Sequence, residues 1–417
     1  MRIVIVGNDL RTIALARVLL AEGHEVLAVP GFLETKLKGL LSIPLPIRYK
    51  EEPAWQQIRR VSEILNLVNQ LKPDLVVCLH VESSDVGLVD ALIYQSKGNY
   101  LVFGVNQKAS QLETSKAYGI SIARASGLSV PSTEIVRDRD RQQWLLQQQT
   151  LPNRRLVIKA DGLAGGRGTL FANNATELLA AFQALSEGDV IVQEYIEGQE
   201  VALSLMCQGR NIVLLNVNFE FKRAFDGDRG PNTPGMGTVA RNAFDLRHSL
   251  CFLEALPQVL ESLGYCGPLD VNFMVDSQRH KPVFLEFTAR FGDPELSSEI
   301  LLLKNVDRLL FSVASGIKPK IIFRPELWGV GVVARGGTHI LVDEDENFTH
   351  DFRVNTGGME SCFSGVGYSI SRTIKKVYRY LYSSVSLETK FRKDVGQNVS
   401  SRWKLLQQIL NIYTYKI

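Results

Sequence analysis

Cysteine is scarce in this chain of 417 residues: Cys78, Cys207, Cys251, Cys266 and Cys362, an odd number, lie far apart and form no Cys-x-x-Cys pair. The six histidines are equally scattered. Neither a disulfide scaffold nor a structural zinc site is expected, and a reduced, cytoplasmic setting is. Long apolar runs are missing too, since no stretch approaches the roughly 18 uncharged residues of a membrane-spanning helix. The opening MRIVIVGNDLR reads as a buried strand, too short for the apolar core of a secretion signal. Charge of one sign is absent. Lys+Arg total 47 against 44 Asp+Glu, a net +3, which argues for neither a nucleic-acid nor an anionic-membrane partner. There is no internal repeat and no low-complexity block. Glycine is lacking where a dinucleotide site needs it: the loop after the first strand, Gly7-Asn8-Asp9-Leu10, has one glycine where that fingerprint has three. A tight strand-to-helix turn accounts for it better.

What remains is an ordinary globular composition, 45% hydrophobic and 22% charged, with apolar material for several packed modules. Ile3-Val4-Ile5-Val6 is a continuous apolar run, as in a strand covered on both faces. Arg11 to Glu22 carries apolar residues at helical spacing and stops at Gly23. Strands follow at Glu25 to Val29 and Leu75 to Leu79, flanking an amphipathic helix from Gln57 to Leu71. Strand, helix, strand, helix, strand predicts a parallel, doubly wound α/β unit. The polar segment Arg137 to Arg155 predicts a short surface helix and a boundary. From Leu156 onward strands dominate, with helices expected at Ala175 to Ser186 and around Leu250 to Leu263. A glycine-rich β region begins near Gly316. A basic helix follows near Arg372 to Tyr382, read as a solvated face in preference to a polyanion site, and then an amphipathic helix from Arg402.

Four segments carry chemistry. In Leu156-Val-Ile-Lys159-Ala-Asp161-Gly162-Leu-Ala-Gly165-Gly166-Arg167-Gly168, a β-branched strand delivers Lys159 to a loop with four glycines. Such glycines let successive backbone N–H groups face one anion, and the lysine adds a point charge. The spacing is not that of a P-loop. In Val190-Ile-Val-Gln193-Glu194-Tyr195-Ile196-Glu197-Gly198-Gln-Glu200, a buried strand runs into a hinge suited to an adenine, with Glu200 in reach of ribose hydroxyls; a plain strand and turn fits these residues equally well. Lys222 to Gly237, containing Asp228-Arg229-Gly230-Pro231-Asn232-Thr233-Pro234, is a long polar loop of the kind that is usually functional. Last, Pro282-Val-Phe-Leu-Glu286-Phe-Thr288-Ala-Arg290-Phe-Gly-Asp293-Pro-Glu295 ends an apolar strand in polar groups. Glu286 and Thr288 share a face because strand side chains alternate, and the preceding strand offers Asp270 and Asn272. Hard oxygen donors on adjacent strands suit Mg²⁺ bridging nucleotide phosphates.

IKADGLAGGRG, QEYIEGQE, GPNTPGMG and EFTARFGDPE, in that order, resemble the phosphoribosylamine–glycine ligase family of the ATP-grasp superfamily. The resemblance is specific over about residues 110–320 and extends to GLVDAL at 87–92, QLETSKAYG at 111–119 and FRKDVG at 391–396. It implies an N-terminal α/β domain over 1–105, an ATP-grasp domain of α+β type over 106–320, and a small β-rich C-terminal domain over 321–417. It also implies ATP, with Mg²⁺ or Mn²⁺, and an ADP-forming ligation of a small, glycine-like carboxylic acid to an amine through an acyl phosphate. The chain would be a monomer or homodimer. Carried over, Lys116, Lys159 and the loop with Gly162, Gly165, Gly166 and Gly168 would hold the phosphates. Glu194 and Ile196 would meet adenine and Glu200 the ribose. Glu286, with Thr288 and Asn272, would ligate the metal. Arg290 and Asp293 would lie by the acid, with Asp228 and Asn232 on the closing loop.

The sequence also departs from the family. The family's Gly-Asn-Gly-Gly-Arg-Glu-His-Ala-Leu is here Gly7-Asn8-Asp9-Leu10-Arg11-Thr12-Ile13-Ala14-Leu15. Its Pro-Gly-Asn-Ala-Gly-Thr is Pro30-Gly31-Phe32-Leu33-Glu34-Thr35, and its Gly-Pro-Glu survives only as the acid Glu82. These segments form the pocket for the phosphoribosyl amine, where Asp9 and Glu34 would repel a phosphate. Thr288 replaces a metal-ligating Asn, and Pro234 a loop Gly. Three readings follow: a ligase with an altered amine acceptor, favoured by the rewritten pocket; a true phosphoribosylamine–glycine ligase; or a non-catalytic nucleotide-binding paralogue, suggested only by Thr288.

Overall fold

The structure, a computed structural model, describes residues 1–29, 37, 39–43, 54–148, 155–163, 168–185, 187–242, 253–276, 281–325, 327–340, 344–345, 347–355 and 358–414. The N-terminal unit is a five-stranded parallel sheet in the order Leu40–Ser42, Glu25–Val29, Arg2–Val6, Leu75–Cys78, Leu101–Phe103. Ile3, Val4, Ile5 and Val6 are buried on both faces, as their unbroken apolar run predicts. The helix Leu10–Ala21 starts where the Asp9 carboxylate accepts the Thr12 N–H. It stops in a Schellman turn: His24 N bonds Leu19 O, Gly23 N bonds Leu20 O, and Gly23 has φ +85°.

Two larger antiparallel sheets follow, beside two-stranded ladders of Arg223–Phe225 with Arg229–Asn232 and Leu303–Lys304 with Ile322–Phe323. The small one runs Thr133–Val136, Val190–Glu194, Leu156–Ala160, Thr169–Ala172. Leu156 and Ile158 point into a core with Leu178, Ala181 and Phe182 of the helix Ala175–Ala184, each large aliphatic contributing about 1.5–3 kcal/mol. Period two then sends Val157 and Lys159 to the opposite, open face.

The large sheet has nine strands. Lys281–Thr288, Cys266–Asp276, Gly198–Gln208, Asn211–Glu220, Gly237–Asn242, Trp328–Arg335, Gly358–Gly367 and Phe348–Asn355 lie in that order, and Lys390–Phe391 pairs with Trp328–Arg335. Strands on both sides of residue 320 thus share one ladder, Gly237 to Arg241 pairing with Val332 to Trp328. One face is apolar, with Leu203, Val217, Val271 and Phe287 in the main core. The other face carries Ser204, Asn216, Asn218, Asp270 and Asn272, all buried. Register explains their grouping: Asp270 sits opposite Ser204 and Thr288, and Asn272 opposite Ala202 and Glu286.

The helix expected around Leu250 to Leu263 spans Leu256–Ser262, with residues 243–252 outside the described set. The basic helix is Ile370–Ser384 and the last helix Val399–Thr414. Among the described residues no helix is long and apolar enough to cross a membrane.

Candidate active site

A cleft of about 880 Å³ opens between the small sheet and the polar face of the large one, with Arg11 and Glu82 of the N-terminal unit closing one side and Arg392, Asp394 and Arg402 another. Lys116, Lys159, Gly168, Glu194, Ile196, Glu200, Asp228, Asn232, Asn272, Glu286, Thr288, Arg290 and Asp293 all line it. Gly162 stands behind, its carbonyl accepting from Lys116 Nζ, with φ at +99°, a conformation a side chain would strain. Gly165 and Gly166 lie outside the described residues, as does the segment Pro30 to Thr35.

Three lysines converge here from three elements. Lys116 opens the helix Lys116–Ala125, whose N-cap Ser115 accepts the Tyr118 N–H. Lys159 ends the strand Leu156–Ala160 and is only 6% exposed. Its Nζ bonds weakly to Leu285 O at 3.4 Å. Burial holds its pKa below an ordinary lysine's against the pull of Glu286, and Lys116 adds to the depression. Lys222, which the sequence presents only as part of a polar loop, is the third. Its Nζ contacts Glu200, Glu220 at 3.0 Å and Glu286 at 3.8 Å. Burial opposes its charge, but the three carboxylates outweigh burial and raise its pKa well above the usual value. The available signal was its spacing: Glu220 and Lys222, two apart at a strand end, share a face. Glu200 is therefore paired with Lys222 rather than standing alone.

The oxygen donors lie side by side. Burial raises the Glu286 pKa, but Lys222, Lys159, Lys116 and Arg290 together hold it below the ordinary value, so its carboxylate is ionised. Asn272 Nδ2 donates to Thr288 Oγ1 at 3.2 Å, while Asn272 Oδ1 is buried with no hydrogen-bond partner among the described residues. An anionic carboxylate, a hydroxyl and an orphaned amide oxygen form an all-oxygen donor set that fits a hard divalent cation.

Deeper in the cleft, Arg290 Nε donates to Glu113 at 3.2 Å, and Glu113 also accepts the Ala289 N–H at 2.7 Å. Glu113, Glu82, Asp293 and Asp270 overcome burial and raise the Arg290 pKa, so it is cationic throughout. Burial, with Asp9 nearby, raises the Asp293 pKa. On the N-terminal wall Asp9 is internally neutralised. Arg11 Nε donates to it at 2.8 Å, its second guanidinium nitrogen also bonds it, and His80 Nε2 is 3.0 Å away. Burial disfavours the charge, yet Arg11 and His80 hold the Asp9 pKa well below the carboxylate range. The segment expected as a long loop instead folds into a hairpin of Arg223–Phe225 and Arg229–Asn232; at its turn Asp228 is exposed and bonds the buried Arg392 at 2.7 Å, which also pairs with Asp394 at 2.7 Å. The C-terminal FRKDVG segment thereby anchors the loop. Glu194 accepts the Ser132 N–H at 3.1 Å, and the neighbouring Tyr195 ring carries Arg155 at 3.9 Å.

A small sheet and a larger polar sheet facing each other across a lysine-lined cleft, with a carboxylate and amide opposite, define a protein of the ATP-grasp class. The phosphoribosylglycinamide synthetase ATP-grasp (A) domain matches residues 114–296. A phosphoribosylamine–glycine ligase of Phenylobacterium zucineum is 32% identical over 296 residues, 66% of this chain and 68% of that protein. One from Caulobacter vibrioides is 31% identical over 268 residues, 61% of each chain, so this chain spans about three-fifths of that relative's length. A crystal structure of the Thermotoga maritima phosphoribosylamine–glycine ligase shares the fold, with a TM-score of 0.74 at 22% identity over 94% of this chain and 100% of that one. The chain belongs to the phosphoribosylamine–glycine ligase family, a family of ADP-forming carbon–nitrogen ligases.

Proposed function

We propose that the protein activates the carboxylate of glycine with ATP and transfers the resulting acyl group to the amine of phosphoribosylamine. The observation carrying this is the meeting, in one cleft, of Lys116 and Lys159 with Glu286, Asn272 and Arg290, from separate elements. Phosphoryl transfer asks for positioning and charge neutralisation more than covalent help. Lys159 and Lys116 supply fixed positive charge. At an effective dielectric of about 20, a cation about 4 Å from a phosphate contributes on the order of 4 kcal/mol. Lys222 offsets the repulsion between Glu200 and Glu286. Glu286, Asn272 and Thr288 would hold Mg²⁺ or Mn²⁺, which when bound offsets phosphate charge. Arg290, fixed by Glu113, would orient the acid's carboxylate. Glu194 and Ile196 flank the space for the base, and Asp228 and Asn232 would close over the acyl phosphate. A neutral amine attacking an acyl phosphate needs little general-base assistance.

A second reading keeps this activation but changes the acceptor. Asp9 favours it: its carboxylate occupies the N-terminus of the helix Leu10–Ala21 and takes up Arg11, a cation that would otherwise attract a phosphate. One experiment tests both readings. The protein is incubated with Mg·ATP and a panel of small acids, with either hydroxylamine or freshly generated phosphoribosylamine, and ADP is measured with hydroxamate or amide. Glycine-dependent product with phosphoribosylamine is expected. Glycine hydroxamate without phosphoribosylamine turnover would establish the altered acceptor, and no ADP with any acid would refute both.

A further inference from the structure

Three charged residues meet beside the cleft without lining it. Arg335, Glu360 and Arg353 stand directly opposite one another on the neighbouring strands Trp328–Arg335, Gly358–Gly367 and Phe348–Asn355, with Glu360 in the middle. Glu360 Oε1 accepts from Arg335 Nε at 2.8 Å, and its Oε2 accepts from Arg353 Nε at 3.0 Å and Nη2 at 2.7 Å. Burial opposes the Glu360 charge, but Arg353 and Arg335 hold its pKa below the ordinary value, so it is anionic. The remaining guanidinium nitrogens reach other parts of the chain. Arg353 Nη1 donates to Asn8 O at 2.7 Å, and Arg335 Nη2 donates to Gly235 O at 3.1 Å. Asn8 leads into Asp9, which caps the helix Leu10–Ala21 and pairs with Arg11 of the cleft. Gly235 follows Asn232, Thr233 and Pro234, which line the cleft. It lies so close to the Pro294 ring that a side chain at this position would collide with it. One carboxylate thus connects two segments, far apart in sequence, that border the same site. The strands do not need it for their own pairing, since the ladders on either side of Gly358–Gly367 run over eight residue pairs each.

We infer that Glu360 is a positioning residue: through Arg353 and Arg335 it clamps the loop at Asn8 to residues 233–235, and so sets the spacing at which the amine acceptor meets the activated acid. Amide formation joins two bound molecules, and its rate falls steeply when the groups holding them drift by about 1 Å. Guanidinium–carboxylate forks suit this task because they fix direction as well as distance. Neutralising Glu360 leaves two like charges on either side of one strand, with nothing between them to keep each aimed at its carbonyl. A small amine that needs no wall to hold it is indifferent to that change. An acceptor seated on the N-terminal wall is not. Glu360 lies outside the cleft lining, so its influence passes through the two segments alone.

This inference rests on the phosphoribosylamine reading proposed above, and amide hydrogen exchange separates the two. Gly7 N–H, bonded to Val29 O at 2.9 Å, and Met236 N–H, bonded to Phe221 O at 2.9 Å, report on the two segments. Exchange is followed by mass spectrometry in the wild type, Glu360→Gln, Arg353→Met and Arg335→Met. Glu360→Gln keeps the shape of the side chain and removes its charge. It should speed exchange at least about threefold in both segments and leave the helix Ala175–Ala184 unchanged. Arg353→Met should loosen only the first segment and Arg335→Met only the second. In parallel, with glycine and Mg·ATP, Glu360→Gln should raise the KM for phosphoribosylamine at least about fivefold, with kcat and hydroxamate formation from hydroxylamine each within about twofold. Exchange at the wild-type rate in either segment of Glu360→Gln would overturn the assignment. So would arginine variants that each loosen both segments, an unchanged KM for phosphoribosylamine, or a parallel loss with both amines. Both segments loosened in a protein whose wild type makes hydroxamate but never uses phosphoribosylamine would leave the clamp standing and refute that acceptor instead.

Discussion

The two walls of the cleft handle charge in opposite ways. On the nucleotide wall, Lys116 and Lys159 line the cleft with only carbonyl partners and no ion pair among the described residues, and the carboxylates near them are gathered by a third lysine, Lys222. On the N-terminal wall, Arg11 is matched with a carboxylate of the same chain, Asp9. Unspent positive charge is a standing invitation to a polyanion, and internally paired charge is not. On the proposed reading the first wall would hold the nucleotide phosphates. The second has paired its charge at Asp9, and on the readings proposed above that is where phosphoribosylamine and another amine would be told apart.

The comparison breaks most visibly at Lys159 and Glu286. Lys159→Ala and Glu286→Ala should each lower ADP-forming turnover at least about 100-fold, since Lys159 would place positive charge on the transferring phosphoryl group and Glu286 would hold the divalent cation that does the same. Steady-state ADP release in the presence of glycine and hydroxylamine reads this directly. Turnover at the wild-type rate in either variant would show that phosphates do not sit on this wall.

A smaller change sharpens the same wall. Thr288 accepts a hydrogen bond from Asn272, leaving the Asn272 oxygen to act as a donor to a metal. Replacing Thr288 by Asn supplies an amide oxygen in place of a hydroxyl, a stronger ligand for a hard cation. Thr288→Asn should keep Mg²⁺ affinity or raise it several-fold, measured as the Mg²⁺ dependence of nucleotide binding. A clear loss would mean that Thr288 serves packing and that the metal is held elsewhere.

Much of this cleft could be read in the residues because its signals are local. Lys159 at a strand end before glycines, and Glu286 with Thr288 at period two, declare themselves within a dozen residues. Lys222 did not, because its importance lies in Glu200, Glu220 and Glu286, which arrive from three different strands. The neutralisation of Asp9 was equally hidden. Its partner His80 lies 71 positions away and is brought near only by the pairing of Arg2–Val6 with Leu75–Cys78. Read alone, Asp9 is a repulsive charge; folded, it is a helix cap paired with Arg11 and close to His80. The continuity of the large sheet across residue 320 belongs to the same class of facts, since ladder pairing between Gly237–Asn242 and Trp328–Arg335 leaves no mark on either segment.

The N-terminal wall gives the smallest effect, and its sign follows from Asp9. The folded protein holds the Asp9 pKa well below the value of about 3.9 expected when unfolded. The unfolded chain therefore binds the proton first as pH falls, so the stability contributed by Asp9 is complete above about pH 4 and is lost as pH drops through the folded value. Asp9→Asn removes that contribution at every pH. Urea midpoints should thus show the wild type more stable than the variant at pH 7, with the gap narrowing toward about pH 3. The same substitution releases Arg11 and should raise the use of a phosphate-bearing amine relative to hydroxylamine. A gap that stays constant with pH would mean that Asp9 is not held ionised by Arg11 and His80. The contrast between the walls would then fail, and with it the argument that the acceptor has changed.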